Sequence, residues 1–206
     1  MILQWLLDNW LEVFAFVVGL LYVYYEIRED WVLWIFCIIS AIVYTLVFLL
    51  DAHYAQAGLN VCYFIVGIYG LFNWLGALKT SAPKQPQKTL QISHIPLKPC
   101  VILLGICAIL SVLAGWLLTR YTNSPTAYLD AFISVYSLLA TWMVAKKYIE
   151  SWFLWIATDS IAVPLYFYSE LYPTAVLFAI YLPLSYIGYK EWKKNYLMLH
   201  TDPVAP

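Results

Sequence analysis

Charge is scarce in this 206-residue sequence. Asp, Glu, Lys and Arg make up only 11% of it, less than half the roughly 25% of a soluble domain. Hydrophobic residues reach 64%, and the mean hydropathy is +0.76. Too little polar surface exists to cover a water-facing globule, so lipid must be the solvent. No basic tract is present, which argues against a nucleic-acid partner. The three histidines, His53, His94 and His200, are scattered through loops and tail. No H-E-x-x-H, G-x-S-x-G or G-x-x-x-x-G-K-[ST] occurs, so the chain offers no grounds for an intramembrane enzyme or a nucleotide-driven pump. Cys37, Cys62, Cys100 and Cys107 all fall inside apolar runs without metal-ligand spacing. They read as packing residues, and no metal or cofactor is expected. Met1 to Leu7 lacks the basic region and small-residue cleavage site of a secretory signal, so the first apolar run is expected to be a retained span.

What is abundant is long apolar runs. A hydrocarbon core ~30 Å thick takes roughly 20 helical residues. Seven runs qualify, at 9–25, 31–50, 54–78, 100–119, 127–145, 152–168 and 171–189. The expected architecture is an all-α integral membrane protein. A first three-helix unit occupies 9–78, a flexible cytoplasmic linker 79–98, a connecting helix 99–120, a second three-helix unit 127–192 and a tail 193–206. Seven spans put Arg28, Lys79, Lys84, Lys88, Lys98, Lys146, Lys147, Lys190, Lys193 and Lys194 on one side and only Arg120 on the other. Basic residues gather on the cytoplasmic side, so the N-terminus is expected outside and the C-terminus in the cytoplasm.

The two units repeat each other. DWVLWI at Asp30–Ile35 lines up with SWFLWI at Ser151–Ile156. HYAQAGLNVCYFIVGIYGLFNW at His53–Trp74 lines up without gaps with LYPTAVLFAIYLPLSYIGYKEW at Leu171–Trp192. The second alignment pairs Tyr63 with Tyr181, Gly70 with Gly188 and Trp74 with Trp192. Four spans separate the starts of the units, so both have the same orientation. Parallel repeats of this kind place a solute site between them near the bilayer midplane. A saturable carrier fits this plan; a channel or receptor-like module is the competing reading.

KKYIESWFLWIATDSIAVPLYFYSELYPTAVLFAIYLPLSYIGYKEW in the second half, with AGLNVCYFIVGIYG in the first, resembles the PnuC family of bacterial vitamin transporters over Leu11–Tyr196. The resemblance implies a three-plus-one-plus-three bundle related to SWEET sugar transporters, often trimeric, in the cytoplasmic (inner) membrane. It also implies facilitated diffusion of an unphosphorylated vitamin, which a cytoplasmic kinase then traps. Nicotinamide riboside is the best-known substrate; other branches carry thiamin, riboflavin or deoxynucleosides. Asn60, Leu71 and Asp159 depart from the usual Gln, Trp and Asn of nicotinamide riboside members, which keeps thiamin as the alternative.

An ionisable group deep in a span is costly and therefore a functional candidate. Asp159 lies eight residues into the sixth run, roughly 10–12 Å below its cytoplasmic end by helical rise; Glu12 lies near the outer end of the first. Nicotinamide riboside and thiamin each contain a flat cationic ring. Such a ring is attracted to aromatic faces by ~0.5–2 kcal/mol each and to a carboxylate. Trp34, Trp155, Tyr63, Tyr166 and Tyr181 are the expected walls of the site. Asn60 can donate to and accept from a carboxamide, pyrimidine or ribose hydroxyl. Trp5, Trp10, Trp31, Trp74, Trp152 and Trp192 sit near span ends and read as an interfacial belt. Pro164 and Pro183 are expected to kink the last two helices. Gly67, Gly70 and Gly188 are expected to permit close helix approach.

Overall fold

A computed structural model of the chain describes residues 10–50, 54–79, 90–122 and 124–201. Trp5, His53, Lys84, Lys88 and the side chain of Glu12 lie outside the described residues.

Seven helices form among the described residues: α1 Trp10–Ile27, α2 Val32–Leu50, α3 Tyr54–Lys79, α4 Leu97–Tyr121, α5 Ala127–Ala145, α6 Ser151–Tyr168 and α7 Tyr172–Thr201. Four contain a stretch long and apolar enough to cross a membrane: Val32–Leu50, Tyr54–Gly76, Leu97–Tyr121 and Ala127–Ala145. α1 supplies a shorter apolar stretch, Val13–Ile27. α6 and α7 carry Asp159, Thr158, Ser185, Pro164, Pro183 and many tyrosines, which lower their hydropathy. Both helices continue through their prolines. α7 runs twelve residues past the expected Tyr189, because its last turns leave the apolar run without a helix breaker.

The helices close a ring. α1 packs against α2 and α7, α2 against α3, α3 against α5, α5 against α6, and α6 against α7. α4 packs on α5 from outside. Its apolar residues Val101, Ile102 and Ile109 face outward, as a lipid-bathed surface requires.

A three-residue packing unit occurs twice. Trp34 is fully buried, meets Trp74 edge-to-face with centroids 5.7 Å apart, and lies where a Cβ on Gly70 would be. Trp152 is also fully buried, meets Trp192 edge-to-face at 5.5 Å, and occupies the same place against Gly188. A Cβ at either glycine would overlap the indole, so only glycine lets these helices approach. Each residue of the second trio stands 118 positions after its counterpart. That separation is the one in the long alignment of the two halves. The short alignment, DWVLWI on SWFLWI, is three residues out of step: it pairs Trp34 with Trp155, whereas packing pairs Trp34 with Trp152. Trp74, Trp152 and Trp192 are thus core residues rather than part of an interfacial belt, while Trp10 and Trp31 remain exposed.

The end of the 79–98 segment departs from the expectation of a flexible linker. Ser93 N donates to Lys147 O at 3.0 Å, and Ile149 N donates to Ser93 O at 3.1 Å. Ile92 and Ile95 are buried beside this bridge, and Glu150 accepts from Ile95 N at 3.1 Å and contacts His94 Nδ1 at 2.7 Å. Leu90 and Ile92 alternate with Gln91 and Ser93, which puts both apolar side chains on one face of this strap.

Candidate functional site

The ring surrounds a cavity of about 290 Å³, near the lower end of the ~300–1,000 Å³ common for small-molecule sites. Helical periodicity builds its walls. Residues spaced i, i+3 and i+7 share one face of a helix, and four helices present such a stripe. They are Gly19, Tyr22 and Glu26 on α1, and Cys37, Ser40 and Tyr44 on α2. Trp152, Trp155 and Asp159 on α6 and Phe178, Tyr181 and Ser185 on α7 complete the set. Asn60 and Tyr63 on α3 and Ser137 and Thr141 on α5 close the remaining sides. α4 contributes none of the lining residues.

Of the residues singled out from sequence, Asn60, Tyr63, Trp155, Asp159 and Tyr181 all line this cavity. Trp34 and Tyr166 do not. Trp34 is consumed by the packing against Gly70 and Trp74. Tyr166 packs against the lining residue Phe178 with the rings tilted at 39° and their centroids 5.2 Å apart, and is not itself in the lining. Trp152 lines the cavity as well as packing on Gly188.

Two carboxylates reach the cavity. Asp159 is 2% exposed and has Ser185 as its hydrogen-bonding neighbour. Glu26, which sequence reasoning missed, is 1% exposed and accepts a 2.9 Å hydrogen bond from Trp155 Nε1. Among the described residues, no lysine, arginine or histidine lines the cavity to offset them. Glu26 escaped notice because it lies next to Arg28, Glu29 and Asp30, a charge cluster that reads as a solvated loop. The available signal was its place seven residues after Gly19 and four after Tyr22, on the stripe that faces inward.

Hydroxyls and amides complete the walls. Tyr63 has Ser137 as its hydrogen-bonding neighbour, and the Tyr181 hydroxyl lies over Gly19, where a side chain would collide with it. Asn60 Nδ2 donates to Gln56 O at 2.9 Å along its own helix. The Tyr22 hydroxyl and Trp152 Nε1 are buried without a hydrogen-bond partner among the described residues. A buried donor left unmade costs about 1–3 kcal/mol, so a polar solute that reached them would be rewarded. A smaller cavity of about 170 Å³ adjoins through Ala15 and Tyr44, which line both. It lies at the Leu11 and Pro173 end, away from the lysines.

Around Glu26, hydrogen bonds tie the two halves together. Trp192 Nε1 donates to Glu26 O at 3.0 Å, and Trp74 Nε1 donates to Ala145 O at 3.2 Å. Asn73 Nδ2 donates to the same Ala145 O at 2.8 Å.

A ring of apolar helices around a central, mostly apolar cavity with a few placed polar groups defines a multi-pass membrane transporter rather than an enzyme. Comparison with known proteins gives the particular family. Residues 9–194 match a family profile described as nicotinamide mononucleotide transporter, and the chain belongs to this family, the PnuC transporters. The nicotinamide riboside transporter PnuC of Escherichia coli (strain K12) is 24% identical over 212 residues, covering 89% of this chain and 85% of that one. The riboflavin/roseoflavin transporter RibM of Streptomyces davaonensis is 23% identical over 138 residues, 66% of this chain and 63% of RibM. The crystal structure of the vitamin B3 transporter PnuC superposes with a TM-score of 0.73 at 21% identity, covering 96% of this chain and 86% of that one.

Proposed function

We propose that this protein is a facilitative uptake transporter for an unphosphorylated vitamin precursor, nicotinamide riboside, which phosphorylation by a cytoplasmic kinase traps inside the cell. The observation that carries this reading is the lining of the cavity: Trp155 stands between Glu26 and Asp159, with Tyr63 and Tyr181 also in the walls and no basic residue among the described lining residues. A flat cationic ring gains from the aromatic faces and from the carboxylates. A phosphate group would meet two acids and no cation, which favours the nucleoside over its phosphate. Ser40, Ser137, Thr141 and Asn60 supply neutral donors and acceptors for ribose hydroxyls and a carboxamide. The similarity to the Escherichia coli transporter supports the same substrate.

Thiamin is the second reading, favoured by the same cation-binding lining and by Asp159, Asn60 and Leu71 at positions where nicotinamide riboside members differ. The neutral ring system of riboflavin, suggested by the similarity to RibM, makes less use of two carboxylates.

The wider arrangement belongs to the same proposal. Seven spans form two parallel three-helix repeats joined by α4, supported by the twofold occurrence of the Trp–Gly–Trp packing. The N-terminus lies outside and the C-terminus inside the cell's inner membrane, supported by the lysines at one end. The exposed apolar face of α4 and its neighbours suits a homotrimer in lipid. Titration of purified protein with nicotinamide riboside, thiamin and nicotinamide mononucleotide tests the substrate: the riboside should bind most tightly and the mononucleotide least. Tighter binding of the mononucleotide would overturn the reading.

A further inference from the structure

Glu26 is the one cavity-lining acid whose carboxylate is held by a cavity-lining aromatic. Its Oε1 takes the Trp155 indole proton at 2.9 Å, and its own main-chain carbonyl takes the Trp192 indole proton at 3.0 Å. The residue is thus pinned at both ends. It lies in the last turn of α1, and it fixes the plane of Trp155. Asp159 stands one helical turn beyond Trp155 on the same face of α6. The three side chains form a ladder of acid, aromatic ring and acid. The other titratable groups that line the cavity, Tyr22, Cys37, Tyr44, Tyr63 and Tyr181, carry no positive charge in any protonation state.

We infer that Glu26 is a specificity-determining residue that, with Asp159, makes this cavity select a flat monocation over a neutral solute of the same shape. The inference rests on the transport reading above. Charge, rather than hydrogen bonding, is the property Glu26 contributes, because its hydrogen bond to Trp155 needs only an acceptor oxygen. The Gln side chain has such an oxygen. Truncating one charge of a desolvated pair of opposite charges costs affinity heavily, whereas a neutral ligand has no charge to lose.

Paired ligands test this. Nicotinamide riboside carries a pyridinium; benzamide riboside has the same outline with carbon in place of the ring nitrogen and no charge. The wild-type protein should bind the cation at least about ten-fold more tightly than the neutral ring. Glu26→Gln should weaken the cation about ten-fold or more and leave the neutral ring within about two-fold, collapsing the ratio. Trp155→Phe, which frees Glu26 from its indole partner and keeps the charge, should weaken both ligands while preserving the ratio. Equal losses for both ligands in Glu26→Gln, or a wild-type protein without cation preference, would overturn the assignment while leaving the substrate reading in place. A wild-type protein that binds neither riboside, with thiamin also failing, would remove the transport reading and this inference with it. Binding of thiamin alone shifts the test to thiamin, whose affinity must then fall in Glu26→Gln.

Discussion

Glu29 and Lys147 stand 118 residues apart, share a left-handed backbone with φ of 55° at each, and join in an ion pair of 2.8 Å. Each ends the turn after the first helix of its half. Lys147 also lies over the Trp74 ring at 4.5 Å, and Asn195 donates to the second oxygen of Glu29 at 2.8 Å. Both side chains are largely covered, so losing one partner strands the other in a site of low polarity.

Charge exchange tests this staple. Glu29→Ala and Lys147→Ala should each lower stability by about 1–3 kcal/mol, below the ~3–5 of a fully buried pair. The double exchange Glu29→Lys with Lys147→Glu should recover part of that loss. Thermal unfolding of the detergent-purified protein reports both, and additive losses in the exchanged protein would show that the pair contributes nothing as a pair.

The close approaches at Gly70 and Gly188 predict a sharp contrast with Gly105. Gly70→Ala and Gly188→Ala push a methyl into an indole and should cost about 1–3 kcal/mol or more by overpacking. Gly105→Ala, with no described atom within 4 Å of the new Cβ, should be neutral or stabilising by up to about 1 kcal/mol. Apparent melting temperatures of the three variants, measured side by side, decide this.

Trp34 and Asp159 should separate stability from binding. Trp34→Ala empties a fully buried site and should cost about 3–5 kcal/mol without altering affinity in the folded fraction. Asp159→Ala should abolish or cut affinity by about ten-fold or more and leave a monodisperse, folded protein. Isothermal titration beside a melting curve reads both quantities, and an unchanged affinity in Asp159→Ala would remove Asp159 from the site.

Tyr44 separates the central cavity from its smaller neighbour, and its hydroxyl donates to Leu11 O at 3.3 Å. Tyr44→Ala should merge the two spaces and loosen discrimination between nicotinamide riboside and bulkier nucleosides in liposome uptake. Uptake ratios equal to wild type would show that Tyr44 does not shape the path.

Much of the bundle is legible in the sequence because a span needs only a long apolar run, and such runs are local. Asp159 is legible for the same reason, being an acid within one. Contacts between distant segments are not. Trp34 and Trp155 both look like wall residues at the same depth, and only the packing on Gly70 shows that Trp34 is spent on the core. The mismatch between the two repeat alignments, three residues, already contained that information: a single separation throughout pairs Trp34 with Trp152. Glu26 was hidden by its charged neighbours, since nothing local shows that α1 continues through Ile27. The strap at Leu90–Pro96 was hidden by the proline, lysine and glutamine before it.

The reciprocal tryptophan bonds make neither half self-sufficient. The indole proton of Trp74 ends on a carbonyl of the later helices, and that of Trp192 on a carbonyl of the first. A gene cut within the 80–89 stretch should therefore yield two fragments that are each unstable alone and rescue one another when synthesised together.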